Sequence, residues 1–225
     1  MGVLLMLMTI GGLIVAAVLL GISLFTKTKW LRNFVFGGVA LWVVFYAVML
    51  IGFSLTSTEK TLAVSEPKEF CGFYLDCHLH AAVTGVRTAK QIGDREAKGE
   101  FYIVKVKVFS DAKNPNIAFR LLEPKAEIAD VQGHIYMRNK AIENLLPTSQ
   151  IQLNQDIKGT ETLEKEIVYD ITGPSDQLKL LVTEGYGVDK YIEAVLIDDE
   201  DSILHKQTYF KLPEQNVTAS RNRER

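Results

Sequence analysis

Two cysteines and two histidines fall within ten residues, at Cys71, Cys77, His78 and His80. Thiolate sulfur and imidazole nitrogen are ligand types that suit zinc and copper. Two thiols can instead be oxidised to a disulfide. Residues two apart on a strand project to the same face, so a strand here puts His78 and His80 together and Cys77 opposite. One strand therefore cannot gather Cys77 with both imidazoles, and a metal site needs Cys71 or another segment to help. The chain has 2 cysteines in all, and an oxidising compartment favours joining them. A loop with five residues between the cysteines closes if the Cα atoms approach to about 6 Å. The disulfide Cys71–Cys77 is the favoured reading. Separate thiols, and a copper or zinc site made by Cys71, Cys77, His78 and His80, stay open as alternatives.

The remaining polar residues suggest less. His134 and His205 are isolated in sequence and read as surface or packing histidines. The acidic run Asp198-Asp199-Glu200-Asp201 lacks the alternating Asp/Asn and the glycine of a calcium loop, so it reads as a solvated turn. There is no GxSxG elbow, no phosphate-cradling GxxxxGK[ST], no GxGxxG after a strand and no HExxH. Nothing in the spacing sets a base beside a nucleophile. The expectation is a protein that is not an enzyme and uses no cofactor.

The compartment of the cysteines depends on the first quarter of the chain. Val3 to Phe25 and Phe34 to Leu55 are uncharged apolar runs of 23 and 22 residues. At about 1.5 Å of rise per residue each covers roughly 33 Å, enough for a bilayer core of about 30 Å. Only a helix satisfies its backbone within such a segment in hydrocarbon. The connector, residues 26–33, carries Lys27, Lys29 and Arg32 and no acid. Basic residues in short loops favour the cytoplasm, which puts the connector inside and both chain ends outside. No basic residue precedes the first run, which argues against a cleaved signal peptide. Trp30 sits at an interface position, and pairs of small residues such as Gly12 and Ala16 suit close helix pairing. Neither run contains an ionisable acid, Lys, Arg or His, so no proton or ion path through the pair is expected.

Beyond the membrane the chain is mixed in charge. Of the 25 Lys and Arg, three sit in the connector, leaving 22 against 27 Asp and Glu. That balance has no electrostatic footprint for nucleic acid. The expected partners are the membrane and other envelope proteins. Residues 57–70 read as a polar linker, residues 71–212 as one domain, and residues 213–225 as a disordered tail with almost no large apolar side chain.

Strand patterns dominate the domain. Tyr102, Val104, Val106 and Val108 alternate with Ile103, Lys105 and Lys107. Leu163, Ile167, Tyr169 and Ile171 share one parity, with Glu164, Glu166 and Asp170 on the other. Leu178, Leu180 and Val182 alternate with Lys179, Leu181 and Thr183. Residues 78–86, 126–131, 191–197 and 207–212 are further strand candidates, separated by Gly, Pro and Asn turn signals. Residues 138–146 alone look helical. Several short strands with regular turns indicate an antiparallel β-sandwich, with a small barrel as the rival.

The run Gly99-Glu-Phe-Tyr-Ile-Val-Lys-Val-Lys-Val108 resembles the second strand of a widespread bacterial family of extracytoplasmic immunoglobulin-like domains of unknown function. These are similar to the immunoprotective extracellular antigen fold. Residues 131–136, 163–171 and 177–182 resemble later strands of that family, and residues 199–212 the closing segment of a membrane-anchored branch. The resemblance extends from about Asp76 to Leu212. It implies an all-β, antiparallel immunoglobulin-like β-sandwich, here preceded by two transmembrane helices in a bacterial cell membrane. It implies no activity and no catalytic residues.

Overall fold

The computed structural model describes residues 2–71, 77–173, 177–185 and 187–213. The expected disordered tail lies outside the described residues, apart from Pro213. Two helices come first, α1 (Gly2–Thr26) and α2 (Lys29–Thr56). The strands β1 (Lys60–Leu62), β2 (Lys68–Phe70), β3 (Leu79–Ile92), β4 (Arg95–Ser110), β5 (Ala118–Phe119), β6 (Lys125–Ala129) and β7 (Ile135–Tyr136) follow. Then come helix α3 (Lys140–Glu143), β8 (Ile157–Lys158), β9 (Thr162–Ile171), β10 (Lys179–Thr183), helix α4 (Asp189–Glu193) and β11 (Thr208–Lys211). These elements form two compact units, one of the long helices with Gly187–Gln207 and one of the sheets.

The helices α1 and α2 have 25 and 28 residues and are long and apolar enough to cross a membrane. Their chain reversal is tighter than the apolar pattern suggests. Only Lys27 and Thr28 lie between them, with Lys27 in the left-handed region at φ 56°. The Thr28 N–H donates to the Ser23 carbonyl at 3.1 Å, and the Ser23 hydroxyl donates to the Thr28 carbonyl at 2.8 Å. Lys29, Trp30 and Arg32 thus belong to α2 and not to an eight-residue connector, because lysine and arginine are good helix formers. Trp42 Nε1–H donates to Thr9 Oγ1 at 3.0 Å and ties the two helices together. Most of their large apolar side chains face outward, Leu4, Phe25, Phe34 and Leu41 among them.

The second unit is a β-sandwich. One sheet has the order β1-β11-β10-β6-β7 and the other β2-β3-β4-β9. Their facing side chains share one core: Val83, Val104, Val106, Ile167 and Tyr169 from one sheet, and Ile128, Leu180, Val182 and Phe210 from the other. The alternation read from the sequence sets these faces, since residues two apart on a strand share a side. The long β3–β4 hairpin turns at Gly93-Asp94, where Gly93 has φ 59°, a conformation glycine adopts without steric cost.

The structure refines four expectations. The description all-β holds only for the sandwich, because α1 and α2 account for much of the chain. The sandwich is not wholly antiparallel: β1 runs parallel to β11, pairing Thr61 with Tyr209. The 57–70 linker contains β1 and β2, each held by a sheet neighbour despite its polar sequence. The domain expected over 71–212 is interrupted, because residues 187–207 group with the helices, and the strand expected over 191–197 is instead α4 followed by turns.

The free edge of β9 is covered, and this shapes the region of interest. A bare edge strand exposes unpaired amides. Here the Val168 carbonyl accepts from the Asn139 N–H at 2.7 Å, the Val168 N–H donates to Glu143 Oε1 at 3.3 Å, and the Glu166 N–H donates to Thr148 Oγ1 at 3.2 Å. Asn139 also caps α3, its side chain accepting from the Ile142 N–H. Ile142 and Leu146 then pack on Phe101, Ile103 and Val168, burying the outer face of the sheet.

Candidate functional site

Two polar constellations stand on the sandwich. The first is the corner foreseen from the cysteines. Cys71 follows β2 and Cys77 precedes β3, and they form a disulfide with S–S 2.08 Å and Cα–Cα 4.1 Å. It closes the β2–β3 hairpin, whose register pairs Phe70 with Leu79. His78 and His80 do face the same way, and both reach Asp111, which follows β4. His78 Nδ1 lies 2.7 Å from Asp111 Oδ1, and His80 Nε2 lies 3.3 Å from Oδ2. The His80 ring is buried and stacked on Phe109 at 5.1 Å. Its two nitrogens have no well-aligned hydrogen-bond partner among the described residues. The hydrogen bond with His78 is the main cause holding the Asp111 carboxyl below its ordinary value of 3.8, with a further contribution from His80.

This corner disfavours the copper or zinc alternative. Both sulfurs are spent in the S–S bond, so neither Cys71 nor Cys77 can supply a thiolate beside His78 and His80. Among the described residues no group of three or more His, Cys, Asp or Glu side chains is arranged to hold a metal ion. His134 and His205 lie elsewhere. His134 Nδ1 sits 2.9 Å from Asp130 Oδ2 within a turn, and His205 Nδ1 sits 2.9 Å from the Lys206 carbonyl. In the acidic run, Asp199 Oδ1 accepts from the Asp201 N–H at 2.9 Å, closing a turn.

The second constellation is a cleft of about 550 Å³ beside the covered edge of β9. Its deep wall holds Arg138, Glu143 and Lys165. Arg138 Nε donates to Glu143 Oε1 at 3.0 Å and Nη2 to Oε2 at 2.6 Å, a two-bond fork. Lys165 Nζ donates to the Ile151 carbonyl at 2.6 Å and stands 4.0 Å from Glu143 Oε2. The three side chains are 16%, 4% and 3% exposed. Burial lowers the ammonium pKa of Lys165 against the pull of Glu143, and Arg138 lowers it further. The rim adds Lys125, Lys140 and Glu123, with Asn144, Ser149 and Gln152. Four cations therefore line the cleft against two carboxylates. Such a surface attracts a carboxylate or phosphate group, and two of its cations cannot swing away because their neighbours hold them.

The cleft has no local sequence motif. One signal was present: Lys165 falls on the apolar parity between Leu163 and Ile167, where a half-buried strand should carry a hydrophobe. Arg138 and Glu143 lay within the segment expected to be helical, but no spacing rule joins them to a lysine more than twenty residues later. Asp111 was likewise invisible as the partner of both histidines.

No protein-family model matches the chain, and no curated protein matches it. Two solved structures are similar. One is MPT63, a secreted protein from Mycobacterium tuberculosis, with TM-score 0.43 and 12% identity, covering 69% of this chain and 99% of that one. The other is an uncharacterized β-sandwich protein from Clostridium difficile 630, with TM-score 0.38 and 9% identity, covering 70% of this chain and 96% of that one.

Proposed function

We propose that this chain is a membrane-anchored, non-enzymatic binding module of the bacterial envelope. In this reading α1 and α2 span the cell membrane with Lys27, Lys29 and Arg32 on the cytoplasmic side. The sandwich, immunoglobulin-like in its paired four- and five-stranded sheets, stands on the outer face. The apolar outward side chains of both helices support the anchor, since a soluble hairpin would bury them. A Cys71–Cys77 disulfide is at home in that compartment.

The observation that carries the binding role is the cation-rich cleft. Lys125, Arg138, Lys140 and Lys165 outnumber Glu123 and Glu143 around one cavity, on a domain that is otherwise slightly acidic. Its ligand class is an anionic envelope component bearing carboxylate or phosphate groups. The test is titration calorimetry of the full chain in lipid nanodiscs. A glycerol-phosphate oligomer serves as probe and a neutral glucan of similar length as control. Binding of the anionic probe should weaken with salt, and the double substitution Lys125→Glu, Lys140→Glu should weaken it at least about tenfold. Equal binding of both probes, or none of either, overturns the role. Proteolysis of intact cells tests the placement: a protected sandwich overturns it.

A further inference from the structure

The segment Gly187–Gln207 leaves the sandwich and packs along α2, and its contacts descend the helix in order. The Lys206 N–H donates to Ser57 Oγ at 2.9 Å, Ser202 Oγ lies 3.3 Å from Ser54 Oγ, and the Tyr46 hydroxyl donates to the Val195 carbonyl at 2.7 Å. Ile197 meets the first residue of α1, Gly2, so closely that a Cβ there would collide with its carbonyl. Tyr46 lies ten residues before the end of α2 at Thr56, about 15 Å along the axis. A 28-residue helix is about 42 Å long, so roughly 6 Å projects at each end of a 30 Å hydrocarbon core. The Tyr46 side chain reaches about 6 Å, and Val195 is two residues from Ile197 at the level of Gly2, so Val195 sits close to the outer boundary if α2 spans the bilayer.

The chemistry of the segment fits an interfacial position. Val188, Tyr191 and Val195 recur at helical spacing and are 68%, 78% and 44% exposed. Ile203 and Leu204 extend the same apolar exposure. Leu196 and Ile197 are buried. The backbone is satisfied locally, as hydrocarbon requires: the amides of Tyr191 and Ile192 donate to the Val188 carbonyl, those of Ala194, Val195 and Leu196 to residues 190, 192 and 193, and that of Ile203 to the Ala194 carbonyl. The carboxylates of residues 198–201 lie near the level of Ser54 and Gly2, where headgroups and water can solvate them.

We infer that Val188–Leu204 is a third membrane element, an interfacial segment that lies at the surface of the outer leaflet and presents Val188, Tyr191 and Val195 to lipid. The occupant of this face is the bilayer, because the contacts with Tyr46, Ser54 and Ser57 hold the segment against the outer half of α2, where a spanning helix meets the membrane surface. The inference rests on the reading of α1 and α2 as spanning helices.

The test uses tryptophan emission of the full chain in phosphatidylcholine–phosphatidylglycerol vesicles containing lipids brominated either near the start or near the end of the acyl chain. Trp30→Phe leaves Trp42 to report on the span. Tyr191→Trp in a Trp30→Phe, Trp42→Phe background reports on the segment. The expected result is strong quenching of Trp42 and about twofold quenching at position 191 by shallow bromines, less by deep ones. Quenched Trp42 with position 191 open to aqueous acrylamide and untouched by either lipid overturns the inference and leaves the hairpin reading standing. Unquenched Trp42 overturns both.

Discussion

Arg138 and Glu143 face each other across two hydrogen bonds of 3.0 and 2.6 Å, and the same carboxylate also accepts the Val168 amide at the edge of β9. One side chain thus balances two buried cations and completes a strand edge. The pair links the stability of the sandwich to the character of the cleft.

Glu143→Ala should destabilise the sandwich by about 3–5 kcal/mol, because it leaves Arg138 and Lys165 buried without their counter-charge. Chemical unfolding of the full chain in mild detergent, followed by near-ultraviolet circular dichroism, measures this. Replacing Arg138, Glu143 and Lys165 together by Met, Leu and Met should restore most of that stability while abolishing anion binding. A triple variant that still binds the glycerol-phosphate probe with full affinity removes the cleft from the mechanism.

The Cys71–Cys77 bond closes a short hairpin loop, so its entropic contribution is modest, about 2 kcal/mol. Cys71→Ser with Cys77→Ser should lower stability by that order without changing the fold. Thiol labelling of the unfolded, non-reduced chain should find no reactive cysteine. Two labelled thiols would show that the disulfide is absent.

Tyr169 is fully buried in the core, and its hydroxyl has no hydrogen-bond partner among the described residues. Burial pushes the phenol pKa well above its ordinary value. Removing an unbonded hydroxyl costs little, so Tyr169→Phe should change stability by less than about 1 kcal/mol, in either direction. A larger loss in the same unfolding assay would reveal a partner for the oxygen.

The Asp111 carboxyl titrates below 3.8, with His78 as the leading cause. A depressed carboxylate stabilises the folded state fully above its unfolded value. That contribution is lost as pH falls through the lower folded value. Asp111→Asn should therefore flatten the acid limb of the stability profile below pH 3.8. A titration of thermal midpoints for both proteins checks this. An unaltered acid limb would mean that the pair with His78 is not maintained in solution.

Much of the sandwich was legible in the chain because burial imposes a period of two on strands. Val104, Val106 and Val108, and Leu163, Ile167 and Tyr169, announced their inner faces before any coordinates. The apolar runs announced the long helices for a similar reason, and the spacing of the only two cysteines allowed their bond. The weak strands β1 and β2 were missed because three residues carry too little pattern, and β1 also takes its partner from the far end of the chain.

The order in which distant segments meet was decided by tertiary structure alone. Lys165 breaks the strand pattern visibly, but its reason lies in Glu143 and the Ile151 carbonyl, which arrive when α3 and its loop fold over the β9 edge. Residues 191–197 carry an apolar pattern fit for a strand, and packing beside α2 makes them a short helix and turns instead. Local sequence determines which faces must be buried. The partner that buries them is set by long-range packing, which no short spacing encodes.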